Sequence, residues 1–459
     1  MSANRIFAVT FSWLLAMSYF GCASQPVTGP DYKSLNSNPK SAPMPSSVRG
    51  GIARGKLTLD DCLRIALENH PKLKIYQTKI KQRQESYNSA KALDYPVLSL
   101  STSYDRLSYV SPVKRQFLGD SNNDYQVSLN IESPIFTGGR ITAEKEQARY
   151  SINGAREDYR GTELEVIHGV KSVYYKLSVA EEMVAIRQDL SAKLNAFWEI
   201  AKELNQRMKT PREEVLLRIE VQVNNAEQEL INAQTNVRIL KELLLNAMGL
   251  NPGGQTQMEI QAIDMSRQLP GDPSQENMDL NAGNNPDLFK LEQELKRAQE
   301  SVSLARSEYF PQVKLRGSYG YEWATLPPER DTWSFGLVMN LPLWDWGRVN
   351  SKVKQANAYL EEINATKEFT EQKVSLEVKS AFLDYQSSRQ RARIAYDSLS
   401  KSSKSLDIFE QRYKDNTVTS LDVLDAYQSY ATARSNHAQA VLSMYLSQAA
   451  LERLLGKTK

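Results

Sequence analysis

The chain repeats itself, and an internal duplication narrows the choice of fold more than any other feature of this sequence. Asn69-His70-Pro71-Lys72-Leu73 recurs as Asn284-Asn285-Pro286-Asp287-Leu288, and Tyr95-Pro96 as Phe310-Pro311, both 215 residues on. Ser133-Pro134-Ile135-Phe136-Thr137-Gly138-Gly139-Arg140 is answered by Leu341-Pro342-Leu343-Trp344-Asp345-Trp346-Gly347-Arg348, and Val170-Lys171-Ser172 by Val378-Lys379-Ser380, now 208 residues on. Gln206-Arg207-Met208-Lys209 then matches Gln411-Arg412-Tyr413-Lys414, and the copies close on Met248-Gly249 and Leu455-Gly456. Landmarks kept in this order divide the chain into a first repeat, 57–255, a linker, 256–283, rich in Pro and Gly, and a second repeat, 284–459.

Within each repeat the hydrophobic period changes twice. It is helical from Thr58 to about Ala92, with Thr58 and Asp61 spaced as a capping box. It then alternates: Leu98, Leu100, Thr102 and Tyr104 against Ser99, Ser101, Ser103 and Asp105, and Tyr125, Val127, Leu129 and Ile131 against Gln126, Ser128, Asn130 and Glu132. The second repeat alternates likewise, with Val313, Leu315, Tyr319, Tyr321 and Trp323, then Trp333, Phe335, Leu337 and Met339, on the apolar side. Period 2 predicts two hairpins, about 97–136 and 312–344, each with one apolar and one polar face. The runs reach the roughly 9–11 residues of a tilted membrane strand, and aromatics gather toward their ends at Tyr104, Tyr125, Trp323, Trp333, Trp344 and Trp346. A soluble sheet with its apolar face on a core would show the same alternation, but not this aromatic placement.

After each hairpin comes a long stretch without proline, Arg140 to about Met208 and Arg348 to about Lys414. In the second, Val374, Val378, Ala381, Tyr385, Ser388, Ala392, Ala395, Leu399, Ser402, Leu406, Phe409 and Tyr413 keep a 4-3 spacing, which predicts coiled-coil packing. The first runs Val166, Val170, Val173, Leu177, Ala180, Val184, then resumes one residue early at Leu190, Leu194, Phe197 and Ala201, a phase slip. Each long helix turns at a short cap, Thr210-Pro211-Arg212-Glu213 or Asn416 to Asp422, and returns through a segment rich in Ala, Ser, Asn and Gln. These are helical hairpins projecting into water.

Residues 1–21 carry one basic residue, Arg5, and an apolar run too short to span a membrane as a mature helix, so they read as a secretory signal. Gly21-Cys22-Ala23 ends it in a form similar to a lipoprotein cleavage site, with Cys22 the residue to be acylated. Residues 22–56 form an extended lead-in. No later stretch approaches the length of a membrane helix, so passage through a bilayer would use strands. The 57 basic and 54 acidic residues are interspersed, which argues against nucleic acid as a partner. The three histidines, His70, His168 and His437, lie far apart, and there is no phosphate loop, nucleophile elbow or zinc motif. The reading is therefore of a non-enzyme that needs no cofactor or metal.

Four strands cannot close a membrane barrel, for which about eight is the practical minimum, so the chain is expected to oligomerise. The whole pattern from about 57 to 456 resembles the TolC-like outer-membrane efflux protein family, in its lipoprotein branch. The most specific marks are Gly139-Arg140, Gly347-Arg348 and the segment from Arg412 to Ala426. The resemblance implies an α+β membrane protein. Long antiparallel coiled-coil hairpins and four transmembrane β-strands per chain would assemble as a homotrimer, with a twelve-stranded β-barrel and an α-helical periplasmic tunnel. It also implies an outer-membrane location and a passive exit duct served by a periplasmic adaptor and an inner-membrane pump, of RND type or, alternatively, ABC type.

By the same resemblance Asp422 and Asp425 match paired aspartates that ring the periplasmic aperture, and Tyr413 a tyrosine of its constriction. Asn416 stands where Gly is usual, and Val418 where some members carry an arginine. The tip residues Lys209, Thr210, Pro211, Asn416, Thr417 and Val418 are the expected adaptor contacts. Independently, Asp422 and Asp425 are three apart on one helical face, where a threefold axis would gather their carboxylates around one opening. A plainer alternative makes Asp422 a helix cap and Asp425 a solvated charge. Two other functions share parts of the pattern: a type I secretion duct has the same architecture, and a periplasmic coiled-coil tether would account for the helices but not the strands.

Overall fold

The computed structural model describes residues 56–112, 115–116, 121–207, 213–251, 258–263, 284–323, 331–415 and 417–457. All of them belong to one compact unit, Arg54–Lys459. Cys22 and the tip residues Lys209, Thr210, Pro211 and Asn416 lie outside the described residues.

The first repeat holds α1 (Leu59–Asn69), α2 (Pro71–Ala92), β1 (Val97–Arg106), β2 (Asn123–Phe136), α3 (Arg140–Arg207) and α4 (Glu213–Ala247). The second holds α5 (Pro286–Ser307), β3 (Gln312–Trp323), β4 (Asp331–Asn340), α6 (Arg348–Lys414) and α7 (Ser420–Leu454). Local chemistry sets the boundaries. Thr58 and Asp61 make the expected capping box on α1. His70 and Asn285, equivalent in the two repeats, cap α2 and α5 by accepting from Lys72 N at 3.1 Å and Asp287 N at 2.9 Å, each followed by a proline whose missing N–H is no loss there.

The repeats also close alike. Gly249 and Gly456 hold left-handed φ of 76° and 68°. A Cβ on Gly249 would sit 2.6 Å from His70 Cα, and one on Gly456 2.6 Å from the Asn284 carbonyl. The end of each return helix thus lies against the start of its own repeat, at a spacing only glycine permits.

The four strands form one antiparallel sheet in the order β1-β2-β3-β4. The pairing of β2 with β3 joins the two repeats into a single sheet. Its register aligns the apolar residues in rows: Leu98, Ile131, Gly317, Phe335; Leu100, Leu129, Tyr319, Trp333; and Tyr104, Tyr125, Trp323. In the last row the rings stack at 4.8 and 5.9 Å. On the other face Asn130 donates to Ser101 Oγ at 3.1 Å, Ser318 and Ser334 hydroxyls meet at 2.8 Å, and Arg316 donates to Glu132 at 3.1 Å. Both edges, β1 and β4, are unpaired and exposed along their whole length.

Two expectations need correction. The second hairpin ends at Asn340, not 344, because Pro342 cannot donate to a ladder and Asp345 accepts from Gly347 N at 3.0 Å and Val349 N at 2.8 Å to start α6. The expected linker also contains an ordered piece. Ile260 forms a parallel bridge with Leu57, and the Tyr174 hydroxyl binds the Gln261 carbonyl at 2.6 Å.

At 68 and 67 residues, α3 and α6 each extend about 100 Å as helix. The predicted seam on α6 is realised: Val374, Val378, Tyr385, Ser388, Ala392 and Leu406 are buried. It packs on Val441, Met444 and Leu451 of α7. On α3 the phase slip is bridged by Ile186, which packs with Val179 on Ala438 and Leu442 of α7. The two hairpins are thereby fastened to each other through α3 and α7. No helix among the described residues is long and apolar enough to cross a membrane.

Candidate functional site

At the far end of the hairpins all four helices contribute to one apolar cluster. Leu190, Leu194 and Phe197 come from α3, Ile219 and Val223 from α4, Leu406 from α6, and Val423 and Tyr427 from α7. The four helices are therefore held against one another near the hairpin ends by burial, the dominant favourable term in packing.

The sequence-predicted residues fall around this cluster. Tyr413 and Val418 pack against it. The Tyr413 ring lies 5.1 Å from that of Phe197, and its hydroxyl is 3.3 Å from Ser420 Oγ. The Thr417 hydroxyl donates to the Arg412 carbonyl at 3.0 Å, closing the turn before α7. Asp422 and Asp425 are both exposed on α7, one turn apart. Asp422 accepts from Thr419 N at 2.7 Å and from the Thr419 hydroxyl at 2.6 Å, completing a capping box. Those bonds hold its carboxyl below the usual range, since they favour the charged form. Asp425 has no such duty. It borders a groove between α4 and α7 that Arg218 and Gln222 line from the other side. The structure thus brings Asp422 and Asp425 to one face, while committing Asp422 to its own helix.

The sequence reading missed the charges that tie one hairpin to the other. Arg434 of α7 reaches Glu182 at 2.9 Å and Asp189 at 3.6 Å, both on α3. Lys193 of α3 lies 3.9 Å from Glu410 of α6. Burial, helped by Glu410, raises the Tyr427 phenol and keeps it protonated. Arg434 lies some 250 residues from its partners in sequence, so no local spacing could have signalled the contact; Tyr427 was accessible through its four-residue step from Val423. Among the described residues no group of His, Cys, Asp or Glu is placed to hold a metal ion.

A model of a known family, described as outer membrane efflux protein, matches residues 62–250 and 278–457, nearly all of both repeats. The chain belongs to the outer membrane efflux protein family. Among curated relatives of this family, outer membrane protein OprJ of Pseudomonas aeruginosa is 23% identical over 381 residues, covering 80% of this chain and 77% of OprJ. The toluene efflux pump outer membrane protein TtgC of Pseudomonas putida is 20% identical, covering 87% of this chain and 82% of TtgC. The solved structure of the outer membrane protein VceC of Vibrio cholerae superposes with a TM-score of 0.75 at 19% identity, over 87% of this chain and 96% of VceC, which shows the shared fold. The efflux protein is accordingly placed in the outer membrane, as a channel component and not an enzyme.

Proposed function

We propose that three copies of this chain close a twelve-stranded barrel and a helical tunnel, forming the passive exit duct of a tripartite efflux system. The observation that carries this reading is the open four-stranded sheet, apolar across one face and unpaired at both edges. An edge left open in hydrocarbon costs several kcal/mol for each unsatisfied backbone group, whereas β1 of one copy paired with β4 of the next leaves none. The polar face, with Glu132, Arg316, Asn130 and the serine pairs, would line a wet lumen. The long hairpins would carry that lumen through the periplasm to an adaptor at the tips and an inner-membrane pump of RND type. The pump partnership is supported by relatives such as TtgC, which is named as part of a toluene efflux pump.

An acyl chain on Cys22 would add a second anchor to the barrel. Cys22→Ser is expected to abolish labelling by radioactive palmitate, and unchanged labelling would remove this part of the proposal.

At the closed periplasmic mouth Asp425, with Asp422 one turn before it, would gather six carboxylates in a trimer. Like charges so placed attract cations and bind divalent ions. Opening then requires an adaptor with higher affinity for splayed tips than for closed ones, since a partner that binds both equally shifts nothing. The test is conductance in planar bilayers, with the oligomer followed by light scattering. Asp425→Ala combined with Asp422→Asn, which keeps an acceptor for Thr419, should lose cation preference and divalent block while remaining trimeric. A variant that conducts and is blocked like the parent would move the aperture elsewhere, and a stable monomer with intact strands would overturn the duct.

A further inference from the structure

The helices next to the sheet form a layer whose two outer faces are uncovered. α3 packs against α2 on one side and α5 on the other, and α5 packs in turn against α6. This leaves the far face of α2, with Ile75 55% exposed, and the far face of α6, with Phe369 68% and Leu376 69% exposed. Single exposed apolar side chains are ordinary; what marks these two faces is that, among the described residues, each lacks the neighbouring helix that its counterpart in the other repeat has.

The internal repeat shows what would fit there. Within the chain α5 docks on α3 through Ser301 with Gln147 at 3.3 Å, Gln293 with Asn153 at 3.2 Å, Lys290 with Asp158 at 3.0 Å, and Arg160 over the Phe289 ring at 5.8 Å. Pro286 lies 3.8 Å from the position a Cβ would take on Gly161. The repeat offsets carry α3 onto α6, 208 residues on, and α5 onto α2, 215 residues back. The same docking then sets Gln355 by Ser86, Glu361 by Thr78, Thr366 by Ile75, Glu368 by Lys74 and Phe369 by Pro71. The face of α2 so selected is one that carries a shallow groove, lined by Pro71, Lys74, Ile75, Thr78, Lys79 and Gln82.

The charges on these two faces differ from those of their counterparts inside the chain. α2 carries Lys72, Lys74, Lys79, Lys81, Arg83 and Lys91 against Glu85 alone. Residues 355–371 of α6 carry Glu361, Glu362, Glu368 and Glu371 against Lys367 alone. Their counterparts, α5 and residues 147–163 of α3, each balance, with four charges of each sign and three of each sign respectively. Lys72 binds Glu165, Lys79 lies over the Tyr76 ring, and Glu371 binds Lys367. Lys74, Lys81, Glu361 and Glu368 make no ion pair among the described residues.

We infer that α2 of one copy docks against residues 355–369 of α6 in a second copy, in the register by which α5 docks on α3, with Lys74 facing Glu368. The inference rests on the oligomeric reading above and adds the contact surface and its selectivity. Exposed ion pairs contribute little attraction singly, so the pattern acts chiefly by exclusion: α2 against α2, or α6 against α6, sets like charges together. Only the head-to-tail arrangement matches opposite charges, and that heterologous contact is the one that closes a ring and joins β1 to β4.

The full-length protein in detergent tests this directly. Lys74→Glu and Glu368→Lys are each expected to lower the temperature at which the oligomer dissociates, and the two together to restore it. Pro71→Cys with Phe369→Cys, which changes no charge, should give disulfide-linked dimers on oxidation that neither single variant gives, since the counterpart Cβ positions lie 3.8 Å apart, within disulfide reach. An intact oligomer showing neither rescue nor cross-link overturns this seam and leaves the duct standing. A monomeric parent protein overturns both.

Discussion

Burial in a helical body leaves each of the three histidines easier to keep neutral than to charge. His437 of α7 is 7% exposed, with the Tyr396 ring 5.6 Å from its own. Desolvation lowers its pKa below 6.5, with Glu182 opposing. His168 is lowered by burial first and then by Arg453, Lys171 and Lys176, and His70 by burial and Lys72. A histidine with a depressed folded pKa binds fewer protons folded than unfolded, so its contribution is complete above about pH 6.5 and is lost as pH falls below that value. The thermal midpoint is therefore expected to drop between pH 7.5 and 5.5, before most carboxylates titrate. His437→Gln should show a smaller drop, measured by circular dichroism; an unchanged drop would assign the acid sensitivity to other groups. Asp422 follows the same logic with the same sign at lower pH: its depressed carboxyl contributes fully above the ordinary carboxylate pKa, and that contribution is lost as pH falls below it.

The long helices gain their stability from separate clusters along their length. The tip cluster of α3, α4, α6 and α7 is distinct from the one that joins Val374, Val378 and Phe382 of α6 to α7. Ile219, fully buried in the tip, holds α4 against the other three helices. Ile219→Ala removes buried methylenes and leaves a cavity, at a cost of about 2–4 kcal/mol. That loss should appear as faster amide hydrogen exchange around Leu190–Ala201 and Val423–Ala431 with the sheet unaffected, because helical hairpins open locally from their ends. Equal acceleration around Val378 and Met444 would mean that the hairpin unfolds as one unit. Much of this element level is written in local order: the 4-3 spacing of α6, the phase slip of α3 and the Thr419–Asp422 box each concern residues within a turn or two of one another.

For the molecule as a whole, local periodicity and duplicated landmarks were enough to determine two hairpins of strands and two pairs of long antiparallel helices. They were enough because a period of 2 or 3.5 and the chemistry of a cap are properties of neighbouring residues, expressed before any distant contact forms. The tertiary structure decided what those properties leave open. It joined β2 to β3 so that four strands make one sheet, placed Arg434 between Glu182 and Asp189, and paired the start of the linker with Leu57. Each of these depends on which surfaces meet across tens to hundreds of residues, and sequence spacing carries no term for that.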